Sequence, residues 1–195
     1  MTTRLGGPAR QEPARSALAA VLALVFVLVA SAAWTRPLSD QEKAALAATV
    51  ENYDAAVREG NYAHMTQTIP PKVIAAIARR AGTSPDQVVA EMIKETQQTL
   101  QRGDVKIESY GFDLGRAEHK ELSINAPYVL IPTQAIFAVG GRRFREKSLT
   151  LALLDDGQWY LLRMNDARQL QILREAYPEF AGVEFPRGST EILNP

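Results

Sequence analysis

The residues that could do chemistry in this 195-residue chain are few: two histidines, no cysteine, one Asp-Asp-Gly triplet and a scatter of tyrosines and arginines. His64 follows the first helical pattern, and His119 stands among Glu118, Lys120 and Glu121. An imidazole acts only with an acid, a metal partner or a nucleophile beside it, and neither spacing supplies one, so both are expected to be structural and no metal site is assigned. Asp155-Asp156-Gly157 interrupts the run SLTLALLDDGQWYLLRM. Apolar strand residues on both sides make it a tight turn with its carboxylates at a solvent-facing tip, in preference to an acid/base pair. Arg143, Arg145 and Lys147 alternate in RRFREK, which is either a solvated rim or an anion clamp, since a guanidinium can hold a carboxylate bidentately. Tyr53, Tyr62, Tyr110, Tyr128 and Tyr160 fall mostly on core-facing periodicities, and some could turn a hydroxyl into a pocket. The candidate ligand-binding residues are Tyr53, Tyr128, Arg143 and Tyr160. No catalytic residue and no cofactor is assigned, because no nucleophile elbow, phosphate-cradling loop, dinucleotide fingerprint or zinc-protease helix occurs.

Composition narrows the classes. At 46% apolar and 23% charged the chain is globular, and one core suffices for its length. Arg4, Arg10 and Arg15 with Glu12 precede a charge-free run, Ser16 to Thr35, which leaves 19 of the 22 basic residues and 21 of the 22 acidic ones in the body. A body this close to neutrality offers no field for a polyanion, so nucleic acid is not an expected partner. The leader has the order of a secretory signal, basic and then apolar, and ends in small residues that suit cleavage after Ala32 or Ala33. Its length also suits a retained anchor, with Trp34 at the interface. Residues 1–33 are therefore a signal peptide or an uncleaved anchor, and 34–195 the domain proper, periplasmic or secreted, or held on the inner membrane facing the periplasm. Without cysteine an exported domain has no disulfides and must rely on its core. The missing Asn-x-Ser/Thr acceptor fits a bacterial envelope.

The body is expected to be α+β. Ser39 and Glu42 have capping-box spacing ahead of Leu46, Val50, Tyr53 and Val57, and Gly60 stops that helix. A short turn, a break at Pro70-Pro71 and a helix ending at Gly82 follow, with Val73, Ile74 and Ile77 inward. Ser84, Pro85 and Gln87 open another helix, with Val88, Val89, Met92, Ile93 and Leu100 as its buried stripe. After Gly103 the period falls from about 3.6 to 2, the mark of strands. Val105 and Ile107 alternate, then the phase shifts to Tyr110, Phe112 and Leu114, as a bulge around Gly111 would produce. A polar edge strand near His119 precedes two long runs, Tyr128 to Val139 and Arg142 to Leu154, joined by Gly140-Gly141 as a primed hairpin turn.

Pairing across that turn puts Val129, Ile131, Phe137 and Phe144 on one face and Leu130, Ile136, Leu149, Leu151 and Leu153 on the other. Both faces are apolar, so both need cover: helices on one side, and on the other a cavity, a partner or the chain's own tail. Pro132 cannot donate within its strand and predicts a bulge or bend. A last helix capped by Asn165 or Asp166 carries Leu170, Leu173 and Tyr177, and the tail offers Val183, Phe185 and Ile192 as anchors.

This order of capped helices, a bent antiparallel sheet, the hairpin Asp155-Asp156-Gly157-Gln158-Trp159-Tyr160 and a short helix resembles the NTF2-like superfamily, the SnoaL-type α+β cone, over about Ser39 to Tyr177. The resemblance implies a sheet curled around a pocket and dimerisation through its outer surface. It implies no single activity. The expectations are an exported, non-enzymatic domain that binds a small apolar or amphipathic ligand or an envelope protein. The alternatives are a membrane-anchored periplasmic module of a larger complex, and a cofactor-free lyase or isomerase.

Overall fold

The computed structural model describes residues 36–103, 105–122 and 126–193, so the expected leader lies outside the described residues. Helix α1 (Asp40–Glu59) starts at the capping box: the Ser39 hydroxyl accepts from the Glu42 amide, and the Glu42 carboxylate accepts from the Ser39 amide at 2.7 Å. Arg36 grips the same carboxylate with both terminal nitrogens, at 2.8 and 2.7 Å. These bonds, Arg36's first, hold the Glu42 carboxyl down at about 2 against its usual 4.5. A carboxylate depressed in this way stabilises the fold above its unfolded pKa and loses that contribution as pH falls toward its folded one. Glu42→Gln keeps the capping box, which accepts glutamine as well as glutamate at this position, but loses the ion pair with Arg36. It should therefore cost no more than about 1 kcal/mol near neutrality, and should remove part of the stability loss between pH 4.5 and 2. Thermal unfolding against pH checks this, and equal acid slopes in both proteins would contradict it.

Helix α2 (Tyr62–Gln67) is short, and α3 (Pro71–Ala81) opens on the expected proline. Helix α4 (Pro85–Gln101) carries the Ser84–Gln87 box. Of its expected stripe only Val88 is buried, while Val89, Met92, Ile93 and Leu100 are half-buried. The reason is that α4 lies chiefly on α2 and α3, sharing the small core of Ile74, Ala78 and Val88, and leaves Met92 facing a cavity.

The described residues form six strands: β1 (Val105–Phe112), β2 (Glu118–Glu121), β3 (Pro127–Val139), β4 (Arg142–Asp155), β5 (Gln158–Met164) and β6 (Ser189–Leu193). Their order is β1-β3-β4-β5, with β2 also beside β3 and β6 also beside β4. Each long strand thus changes neighbour along its length, and the antiparallel sheet curls into a half-barrel. The hairpin between β3 and β4 places Gly140 and Gly141 at φ 55° and 78°, the pair of positive values that a type I′ turn requires and glycine adopts freely.

Three local expectations are corrected. The phase shift in β1 falls at Glu108, between Ile107 and Ser109, and not at Gly111; Leu114 leaves the strand for a 3-10 turn (Leu114–Arg116) and is exposed. Pro132 makes no bulge against β4, whose register with β3 runs unbroken from Tyr128 to Val139. On its other side Pro132 falls between the β2 and β1 registers, and its carbonyl accepts from the Asp113 amide at 2.8 Å. The tail does more than wrap the surface. Residues Ser189–Leu193 pair with the first half of β4, which would otherwise be an open edge, and Ile192 is 64% exposed and anchors nothing.

Both sheet faces are covered. On one, Val129, Ile131, Ala152, Trp159 and Leu161 lie under Leu46 and Val50 of α1, and the Trp159 indole donates to the Glu42 carbonyl at 2.9 Å. On the other, Tyr128, Leu130, Leu151, Leu153 and Met164 lie under Val73 of α3, Leu173 of helix α5 (Ala167–Ala176), Tyr177 and Phe180. The cap of α5 is Asp166. Here the second cover is partly the chain's own tail. That cover also changes the Asp155 turn. Asp155 is 17% exposed, accepting from Lys72 at 2.8 Å and from the Tyr177 hydroxyl at 2.9 Å, so only Asp156 stands at a free tip.

Candidate functional site

Strand β5 is flanked by helices rather than by another strand along its second edge, where the Leu161 amide donates to the Thr68 carbonyl at 2.8 Å. Helices are wider than strands and cannot follow a curled edge closely. The gap that remains is an apolar cavity of about 260 Å³. Met65, Ile69, Ile77, Met92, Leu162 and Ile172 form much of its wall, with Thr66, Thr96 and Gln169 among the polar groups. A second cavity of about 260 Å³ lies between α1 and the sheet, walled by Val57, Val105, Ile107, Tyr110, Ala135 and Phe137. Tyr53, Met65 and Arg163 line both.

This shared waist is the polar part of an otherwise oily space. Arg163 of β5 pairs with Glu146 of β4, and the Asn165 amide donates to the other Glu146 oxygen at 3.3 Å. Glu146 is 12% exposed and Arg163 35%, and the Arg163 Nε is buried with no hydrogen-bond partner. Alternation along the strands explains the pair. Arg163 stands opposite Thr150, and Glu146 lies two pleats further along the same face. Beside them the Thr133 and Thr150 hydroxyls bond to one another at 2.8 Å. Tyr53 and Tyr110 lie ring to ring at 5.9 Å, and both meet Phe112 edge-on. Both line the second cavity, and desolvation pushes both phenols up, outweighing the pull of Arg163 toward the phenolate. Both are therefore neutral hydrogen-bonding groups at any physiological pH.

The four sequence candidates are not brought together. Tyr53 stands at the waist. Tyr128 is buried on the opposite face against Phe180, with ring centroids 5.2 Å apart, beside a separate cavity of about 100 Å³. Arg143 is 46% exposed and bonds Glu108 at 2.8 and 2.7 Å. Tyr160 is half-buried, its hydroxyl donating to Gln158 at 3.3 Å. The pleat decides this: Tyr128, Arg143 and Tyr160 share the face opposite α1. Glu146 and Arg163 went unselected, although the alternation that sets Arg143, Arg145 and Lys147 on one side places Phe144, Glu146 and Thr150 on the other. That complement was the available signal. His64 and His119 line neither cavity, and among the described residues no cluster of three His, Asp or Glu side chains could hold a metal.

A larger depression, about 970 Å³, lies over β1 and Lys147 and is more open and largely polar, with little apolar wall to desolvate a ligand. The pair of apolar cavities is the better site. Fold and site together define the class: an α+β domain whose helices pack on a curled antiparallel half-barrel, compatible with a cone-like fold. No family model matches the chain, and no curated protein and no solved structure matches it.

Proposed function

We propose that this chain is a binding domain for a small amphipathic molecule held between the helices and the curled sheet, acting in a bacterial envelope after export, and that it is a member of the NTF2-like superfamily. The observation that carries the binding reading is the apolar cavity beside β5, lined at its polar side by Tyr53 and Arg163. An apolar space with a few convergent polar groups is the usual form of a small-molecule site, with the apolar wall giving affinity and the polar groups orientation. Element order and the Asp155–Tyr160 hairpin support the superfamily reading. The basic-then-apolar leader supports export.

A lyase or isomerase would need a free acid or base beside the tyrosines. Glu146 is the carboxylate closest to that role in sequence and strand position, but it is committed to Arg163 and Asn165. Binding is therefore the stronger reading.

Met92→Trp tests it by filling the first cavity from α4, where the residue is half-buried and the overpacking cost is about 1–3 kcal/mol. Titration of the purified full chain with N-phenyl-1-naphthylamine should show saturable fluorescence that the substitution weakens at least ~10-fold, equivalent to about 1.4 kcal/mol. Equal binding by both proteins would place the probe elsewhere and remove the reading.

A further inference from the structure

We infer that the molecule this site takes is an uncharged aliphatic chain bearing a hydrogen-bond acceptor, an ester or ketone, which sits across the Arg163 waist with apolar chain on both sides. The inference rests on the binding reading above and specifies its chemistry.

The first ground is charge. Arg163 is the cationic group shared by the two cavities, and Glu146 already neutralises it. A ligand carboxylate would place a second anion on one guanidinium or displace Glu146 into a half-buried position without its partner, and both are costly in a desolvated site. A ligand ammonium would meet a carboxylate already engaged by Arg163 and Asn165. A neutral acceptor meets neither penalty. It also finds donors, because the Arg163 guanidinium is 35% exposed and carries more N–H groups than its pairing with Glu146 uses, and the Tyr53 phenol stays protonated.

The second ground is continuity. Beyond the waist, the second cavity opens toward a straight apolar row across four strands: Ile107 faces Phe137, Phe137 faces Phe144 and Phe144 faces Ile192 in the strand registers. Phe137 and Phe144 stack with centroids 5.6 Å apart, and Ile107 and Ile192 are 42% and 64% exposed. Ile107 and Phe137 belong to both the row and the cavity wall. An exposed contiguous apolar row leading into a cavity is a surface that chain segments of a ligand can cover. The site therefore has apolar wall on each side of its polar group, which suits a polar function within a chain better than one at its end.

The test is displacement of N-phenyl-1-naphthylamine from the full chain by methyl laurate, laurate and dodecylammonium, with Arg163→Lys as the variant. Lysine keeps a cation for Glu146 but lacks the planar fork of guanidinium N–H donors. The expected result is that the ester displaces the probe at least ~10-fold more effectively than either ion, and that Arg163→Lys reduces this preference several-fold while the probe still binds, the scale of one hydrogen bond from a charged donor. Probe bound but laurate or dodecylammonium equal to or better than the ester would overturn the inference and leave the binding reading standing. An ester preference unchanged in Arg163→Lys would remove Arg163 from its stated role. No probe binding at all would bring down the binding reading and this inference with it.

Discussion

Phe180→Ala should lower the stability of the folded domain by about 3–5 kcal/mol, the range for deleting a fully buried aromatic ring. Phe180 is 1% exposed, although it lies in a five-residue 3-10 turn, Pro178–Gly182, beyond the last helix. Its ring meets Tyr128 at 5.2 Å and Phe185 at 5.9 Å, and meets Tyr177 edge-on at 6.4 Å. It thereby ties the tail to the sheet face opposite α1. Arg174 pins the same segment by donating to the Phe180 carbonyl at 3.3 Å and to the Val183 carbonyl at 2.9 Å. Removing the ring leaves a hole that three other aromatic rings cannot close without leaving their packing. Urea unfolding at constant m-value measures the effect, and at roughly 2–4 °C per kcal/mol for a domain of this size the melting temperature should fall by about 6–20 °C. A loss below about 1 kcal/mol would mean that the tail does not hold the sheet as described, since that is the scale of a surface change.

Breaking the Arg163–Glu146 pair should have the next largest effect, and an asymmetric one. Arg163→Met leaves Glu146, 12% exposed, without its cation, and should cost about 2–3 kcal/mol, somewhat below the 3–5 of a fully buried pair because Arg163 itself is 35% exposed. Glu146→Gln leaves the more accessible partner uncompensated and should cost less, about 1 kcal/mol. The double variant Arg163→Met with Glu146→Gln should recover at least half of the loss seen in Arg163→Met, because it removes the stranded carboxylate. Denaturant unfolding of the four proteins gives the coupling energy directly. Additive losses would show that the two side chains do not sense one another, and the waist would then lose its electrostatic character.

Much of this architecture was legible from local patterns. The Ser39–Glu42 and Ser84–Gln87 boxes, the stops at Gly60 and Gly82 and the Gly140-Gly141 hairpin each depend on residues within a few positions of one another, so the sequence contains the whole cause. The two apolar faces of β3 and β4 follow from period-2 alternation plus one known turn. The site was less legible. Tyr53 was selected, but Tyr128, Arg143 and Tyr160 fall on the other face; Glu146 was passed over because a charge between Arg145 and Lys147 looks like a solvated rim, and Arg163 because its partner lies on another strand.

Local chemistry alone sets the elements, the hairpin register and the need to cover both sheet faces, since capping, turn chemistry and alternation act over short distances. The tertiary structure decided what covers each face, that the tail becomes β6, that Asp155 is bound by Lys72 and Tyr177, and that Tyr53, Tyr110, Glu146 and Arg163 line one polar waist. These depend on which helix lies over which face of a curled sheet. That choice is made by packing among residues up to about a hundred positions apart, from Tyr53 to Arg163, and no local spacing encodes it.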